Sequence, residues 1–152
     1  MNYCIEKSFS DCWNNMNQSA TRLLREKKLK VTTHRLLILN ILLLNTSKAY
    51  SSTELLHFLK NEMNKSTVYR LLSKLLERKL ILKIIDVDGH TIYKLNMNEC
   101  ANNISHPHLR CRECNTLECL PSLPLSYVDQ LKKTGVTGFN IVFGGICSSC
   151  SK

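Results

Sequence analysis

Two cysteine pairs, Cys111-x-x-Cys114 and Cys147-x-x-Cys150, are separated by 32 intervening residues in a chain of 152. Each pair is a knuckle whose two thiolates can face one ion. Together they complete a closed tetrahedral Cys4 shell, which suits zinc and leaves no open position for a substrate. Such a site supplies on the order of 10 kcal/mol toward folding a small unit that is short of core. The first knuckle lies within the stretch "HPHLRCREC", so His106 and His108 precede it at i and i+2. In an extended segment those positions share a face, and both imidazoles can reach one ion. A filled Cys4 shell has no room for them, which points to two metal sites sharing one strand. Cys119 alternates out of the strand after the knuckle and is read as a soft third ligand. A fourth would come from the segment before the histidines, from Cys100 or Glu99. His34 and His57 are read as packing or surface residues, His90 as a residue of the hairpin turn rather than a ligand, and Cys4 and Cys12 as ordinary thiols.

The charge is unevenly placed around these ligands. Residues 1–96 carry 16 Lys and Arg against 8 Asp and Glu, whereas residues 97–152 carry 5 against 4. A basic first part followed by a near-neutral, cysteine-rich second part is the pattern of a polyanion reader joined to a metal module. No run of eighteen apolar residues is present, and the opening "MNYCIEKSFSDCW" lacks the basic end and apolar centre of a signal peptide. A cytoplasmic location with no membrane partner is therefore expected. In that reducing setting, cysteines clustered with histidines indicate metal ligation before disulfides.

The elements that must position these groups can be read in order. A short basic helix is expected over Asn17–Lys28, then an almost wholly apolar helix that Thr32 can cap and that runs to Leu44. Ser51 and Glu54 have capping-box spacing at the start of the next helix. In "NKSTVYRLLSKLLERK", Val68, Leu71, Leu72, Leu75 and Leu76 make one apolar stripe, and Asn64 can cap the start. Ser66, Thr67, Tyr69 and Arg70 then sit near the partly positive N-terminus of that helix. The segments "LILKIID" and "TIYKL", joined through Asp88-Gly89, form a β-hairpin. Helices followed by a two-stranded hairpin give the order of a winged helix-turn-helix, whose recognition helix enters the major groove. Residues 96–105 are polar and asparagine-rich and read as a hinge. Strands at "HLRC", "TLECL" and "FNIVFGG", with a helix near "LSYVDQLKK", follow. The expected fold class is α+β: a winged helix-turn-helix DNA-binding domain over residues 1–95 and a small α/β dimerisation domain with Cys4 zinc over residues 106–152.

These residues together resemble the ferric uptake regulator family of bacterial metal-dependent repressors. "LKVTTHRLLIL" looks like its Thr-x-x-Arg opening, and "STVYRLLSKL" like its Ala-Thr-Val-Tyr-Arg recognition helix with Ser66 for the alanine. "HPHLRCREC" and "GGICSSC" look like its two metal knuckles, and the likeness runs in order over roughly residues 20–150. The resemblance implies a homodimer that closes on an AT-rich palindromic operator in double-stranded DNA when a regulatory metal binds near the hinge. It places Tyr69 and Arg70 in the major groove, with Ser66, Thr67 and Lys74 on the same helix, and Lys30 at its side. It assigns structural zinc to Cys111, Cys114, Cys147 and Cys150, and the regulatory metal to His106 and His108. Three departures stand out. Cys119 replaces an acidic ligand, Lys94 stands at the acidic position of the second hairpin strand, and no further histidine occurs near Gly138 or Phe139. Exchanging carboxylate for thiolate moves the second site from ferrous chemistry toward zinc.

The expected function is a zinc-sensing transcriptional repressor of metal uptake genes, with an iron- or peroxide-sensing member of the same family as the alternative. An enzyme is not expected, nor is a small-molecule substrate. The closed Cys4 shell offers no catalytic position, and neither a Gly-rich phosphate loop nor a Ser/His/Asp set occurs. A thiol enzyme would carry one reactive pair at a helix N-terminus. A zinc-ribbon interaction module would explain the knuckles but leave the basic helix and hairpin without a role.

Overall fold

The computed structural model describes residues 9–97, 106–135 and 141–151. Its first part packs α1 (Phe9–Glu26), α2 (Thr33–Leu44), α3 (Ser52–Leu59) and α4 (Lys65–Glu77) against β1 (Tyr50–Ser51), β2 (Ile81–Ile85) and β3 (Thr91–Leu95). α1 starts at Phe9, eight residues before the expected Asn17, where the sequence shows no clear period. It also stops two residues before the expected Lys28. Lys28 takes a left-handed φ of 55°, and the Leu29 amide turns back to the Leu24 carbonyl, so the chain leaves the helix there. Thr32 occupies the N-cap of α2 in an extended conformation, but its side chain makes no capping hydrogen bond. The body of α2 decides its fate instead: Ile38, Leu39 and Leu42 are fully buried.

The Ser51 capping box forms in full, with the Ser51 hydroxyl accepting from Glu54 N and the Glu54 carboxylate accepting from Ser51 N. On α4 the apolar stripe faces inward, with Val68, Leu72 and Leu75 buried against Leu42, Leu55 and Leu80 in one cluster. The hairpin forms as read, with Ile81 opposite Leu95 and Ile85 opposite Thr91. Gly89 supplies the positive φ of 79° in its turn. A strand that the sequence did not reveal, β1, adds to the outer side of β3 to give the order β1-β3-β2. Two residues are too few to show a period.

The second part contains β4 (His108–Cys111), β5 (Leu117–Cys119), α5 (Leu125–Lys133) and β6 (Val142–Gly145). β4 is central, antiparallel to β5 and parallel to β6. The chain is thus a winged helix-turn-helix followed by a smaller α/β unit. The two meet along a seam. Ala49, Ile84, Ile92 and Leu117 form a small buried cluster, and the Leu117 amide donates to the Ser47 carbonyl at 3.0 Å. Among the described residues no helix is long and apolar enough to cross a membrane.

Candidate metal centres and nucleic-acid interface

The parallel register of β4 and β6 sets Cys111 beside Gly145, so the two knuckles turn over the same end of the sheet. Asn115, with φ of 62°, closes the turn after the first knuckle. As a result the four sulfurs of Cys111, Cys114, Cys147 and Cys150 lie within 4.8 Å of one another. Cys114 Sγ is 3.7 Å from Cys147 Sγ, and the Cys147 amide donates to Cys111 Sγ at 3.4 Å. Backbone N–H groups of Cys114 and Cys147 hold the Cys111 thiol down to about 6, so its thiolate is favoured. The Thr116 hydroxyl holds Cys114 down as well. The neighbouring sulfurs of Cys147 and Cys114 push Cys150 up to about 12. Four thiolates this close repel one another, and a soft divalent cation relieves that repulsion. Four sulfurs with amide donors behind them fit zinc in a closed shell.

The second cluster comes from the opposite end of β4 and from the end of β5. His108 lies directly across the β4–β5 ladder from Cys119. The rings of His106 and His108 are 4.7 Å apart between centroids, and donor atoms of His106, His108 and Cys119 lie within 4.8 Å of one another. Both histidines are buried, at 9% and 8% exposure. Burial pushes the His108 imidazole down to about 4, with further lowering from His106 and from the Lys94 ammonium. Among the described residues the buried Nε2 of His108 has no hydrogen-bond partner, the condition of a nitrogen suited to a metal. Two imidazoles and a thiolate fit zinc better than a hard cation. The expected fourth ligand, Cys100 or Glu99, lies outside the described residues, as do Cys4, Gly138 and Phe139. The side chain of Lys94 does not enter the cluster as a ligand. It is 9% exposed, and its ammonium donates to the Leu117 carbonyl at 2.7 Å.

His34 and His57 are exposed, as the sequence suggested. A third group of donor atoms, from Asp86, Asp88 and His90, also lies within 4.8 Å at the exposed hairpin turn. The turn itself accounts for it: Asp86 Oδ1 accepts from the amides of Asp88 and His90 at 3.0 and 2.8 Å.

At the start of α4, Asn64 Oδ1 caps the Thr67 amide at 2.9 Å and accepts from the Ser66 hydroxyl at 2.9 Å. Thr67 is half-buried there, while Ser66, Tyr69 and Arg70 project outward. Lys65, a cation that sequence reasoning did not single out, holds its ammonium 6.0 Å from the Tyr69 ring centroid. Lys74, further along, is ion-paired with Glu77 at 2.7 Å. Lys30 is exposed, and the Arg35 guanidinium pins its carbonyl at 2.6 Å. That contact gives the Thr32-x-x-Arg35 pattern a structural role, since it fixes the basic loop before α2. The described interface is therefore an exposed helix N-terminus flanked by cations, the form that groove recognition needs.

The ferric uptake regulator family model matches residues 26–142. The ferric uptake regulation protein of Bacillus subtilis (strain 168) is 29% identical over 135 residues, 84% of this chain and 89% of that protein. Among solved structures, a zinc uptake regulator complexed with zinc and DNA superposes with a TM-score of 0.67 at 21% identity, covering 95% of this chain and 97% of that one. The Vibrio cholerae ferric uptake regulator gives 0.57 at 23% identity, covering 84% and 98%.

Proposed function

The chain belongs to the ferric uptake regulator family, whose members are metal-responsive transcription regulators and not enzymes, and on that premise we propose that it is a zinc-sensing repressor of metal uptake genes. One observation carries the choice of metal: the second cluster is made of His106, His108 and Cys119, two imidazoles and a thiolate, where a ferrous site would draw on carboxylates. Cys100 is the proposed fourth ligand. Cys111, Cys114, Cys147 and Cys150 hold a permanent zinc that keeps the second unit folded. The proposed division is a DNA-binding domain over residues 1–95, a hinge over 96–105 and a dimerisation domain over 106–152.

Two such chains form the working dimer in the cytoplasm, and the recognition helices of the pair read an AT-rich palindrome. Tyr69 and Arg70 reach base edges and phosphates in the major groove, Ser66 and Thr67 shape the helix start, and Lys30 and Lys74 add phosphate contacts. The metal can favour the DNA-competent arrangement only by binding that arrangement more tightly than the alternatives. The relative solved with zinc and DNA supports this reading. The test is operator titration with Zn²⁺ and Fe²⁺ added separately to protein stripped of its exchangeable metal. Tighter binding with Zn²⁺ alone supports the proposal, and full affinity without added metal sinks it.

The second reading, an iron sensor, is favoured by the ferric uptake regulation protein of Bacillus subtilis as a 29% identical relative. In that case Fe²⁺ would restore operator binding at concentrations where Zn²⁺ does not.

A further inference from the structure

Lys94 and Arg110 are the buried cations of the described residues, at 9% and 8% exposure. Both reach across the seam between the winged helix and the second unit. Lys94, on β3, donates to the carbonyl of Leu117 on β5 at 2.7 Å. Arg110, on β4, donates to the carbonyl of Ala49, just before β1, at 3.2 Å and also to the Asn115 carbonyl. No carboxylate pairs with either cation among the described residues. Backbone carbonyls are thus their compensation for leaving water, from the opposite unit for Lys94 and from both units for Arg110, and Leu117 O is available to Lys94 only in this arrangement.

The apolar contribution at the seam is small. Ala49, Ile84, Ile92 and Leu117 form its buried cluster, with Val142 partly covered beside them. So few side chains leave the mutual orientation of two sheets weakly determined, whereas charged hydrogen bonds to named carbonyls fix a register. The backbone agrees with that register: Lys48 bridges Thr116, and Leu117 N–H donates to Ser47 O.

We propose that Lys94 is a positioning residue for DNA binding: its ammonium clasps β5 through Leu117 and holds the winged helix in this orientation without a second metal ion. The clasp and the metal at His106, His108 and Cys119 then act on one junction as two separate fasteners. Metal adds to an orientation that the protein already favours. This rests on the reading of α4 as a DNA reader only for its consequence, since the orientation itself is measurable without DNA.

The test is amide hydrogen exchange on the full-length chain with the Cys4 zinc kept and exchangeable metal removed by mild chelation. The reporter is the Leu117 amide, bonded to Ser47 across the seam, with the buried α4 amides of Leu72 and Leu75 as internal controls. Lys94→Met should speed exchange at Leu117 by at least about tenfold, the loss expected for one charged hydrogen bond, and leave α4 unchanged. Lys94→Arg, which keeps a charged donor, should stay within about threefold of the parent. Saturating Zn²⁺ should restore protection in Lys94→Met. Unchanged exchange at Leu117 in Lys94→Met, or a parallel rise across α4, would overturn the clasp. Failure of zinc-dependent operator binding in the parent chain would count against the proposed function and leave the exchange result standing.

Discussion

His108 and Cys119 face each other across the β4–β5 ladder, a pairing that brings an imidazole and a thiol from different strands to one point. The same β4 strand ends at Cys111, which turns toward the second knuckle. One four-residue strand therefore serves two clusters. The sulfur cluster has a full set of four donors, and the His106, His108 and Cys119 cluster has three among the described residues. The two clusters differ in donor chemistry, four thiols in one and two imidazoles with a thiol in the other, and that difference underlies the proposal of one permanent and one exchangeable ion.

Removal of one sulfur from the closed shell should undo the second unit. Cys114→Ser should lower zinc content by one ion per chain and make residues 106–151 sensitive to limited proteolysis. The shell contributes on the order of 10 kcal/mol, more than the limited apolar burial of this part could replace. The α1–α4 core, built on Leu39, Leu55, Leu72 and Leu75, should keep its helical signal. A variant that binds the same zinc and resists protease equally would show that the four sulfurs do not act as one site.

Acidification should weaken the second cluster through His108. Its folded-state value of about 4 lies below the usual 6.5, so the folded chain resists a proton that the unfolded chain accepts. The associated stability is complete above 6.5 and is lost as pH falls from 6.5 to about 4. Thermal unfolding of the parent and of His108→Gln, compared between pH 7.5 and 5.5 with exchangeable metal removed, reads this. The parent should lose more stability than the variant over that interval, and identical slopes would contradict the assignment.

The sequence shows most of this architecture because the strongest signals are local. Cap residues act within one turn, so Ser51 with Glu54 and Asn64 with Thr67 could be read directly. The spacing of the knuckles carried the sulfur cluster in the same way. What escaped is set by contacts between segments far apart in sequence. β1 exists because Tyr50 pairs with Tyr93, and Lys94 is buried because Leu117 offers a carbonyl. From sequence, Lys94 showed only that a ligand was missing, not that the ammonium bridges two units. Thr32 failed in the other sense, having the right type and backbone for a cap but no bond.

Contacts at α4 should divide by kind. Lys30→Ala should weaken operator binding evenly across sequences and reduce the salt dependence by about one unit of slope, since the proposed role of Lys30 is one phosphate contact. Tyr69→Ala should cost roughly 1–3 kcal/mol on the operator and less on unrelated DNA, because the proposed role of Tyr69 is a base-edge contact. Fluorescence anisotropy over a salt series measures both. Equal losses on operator and random DNA for Tyr69→Ala would remove it from sequence reading.

The clearest test is a count of zinc before and after mild chelation, paired with operator binding on the same samples. Two ions per chain, falling to one together with high-affinity binding and returning with added Zn²⁺, is the predicted result. His108→Ala should hold one ion throughout and gain nothing from zinc. A single ion in the parent chain at saturating zinc, with binding that chelation does not alter, would contradict the account.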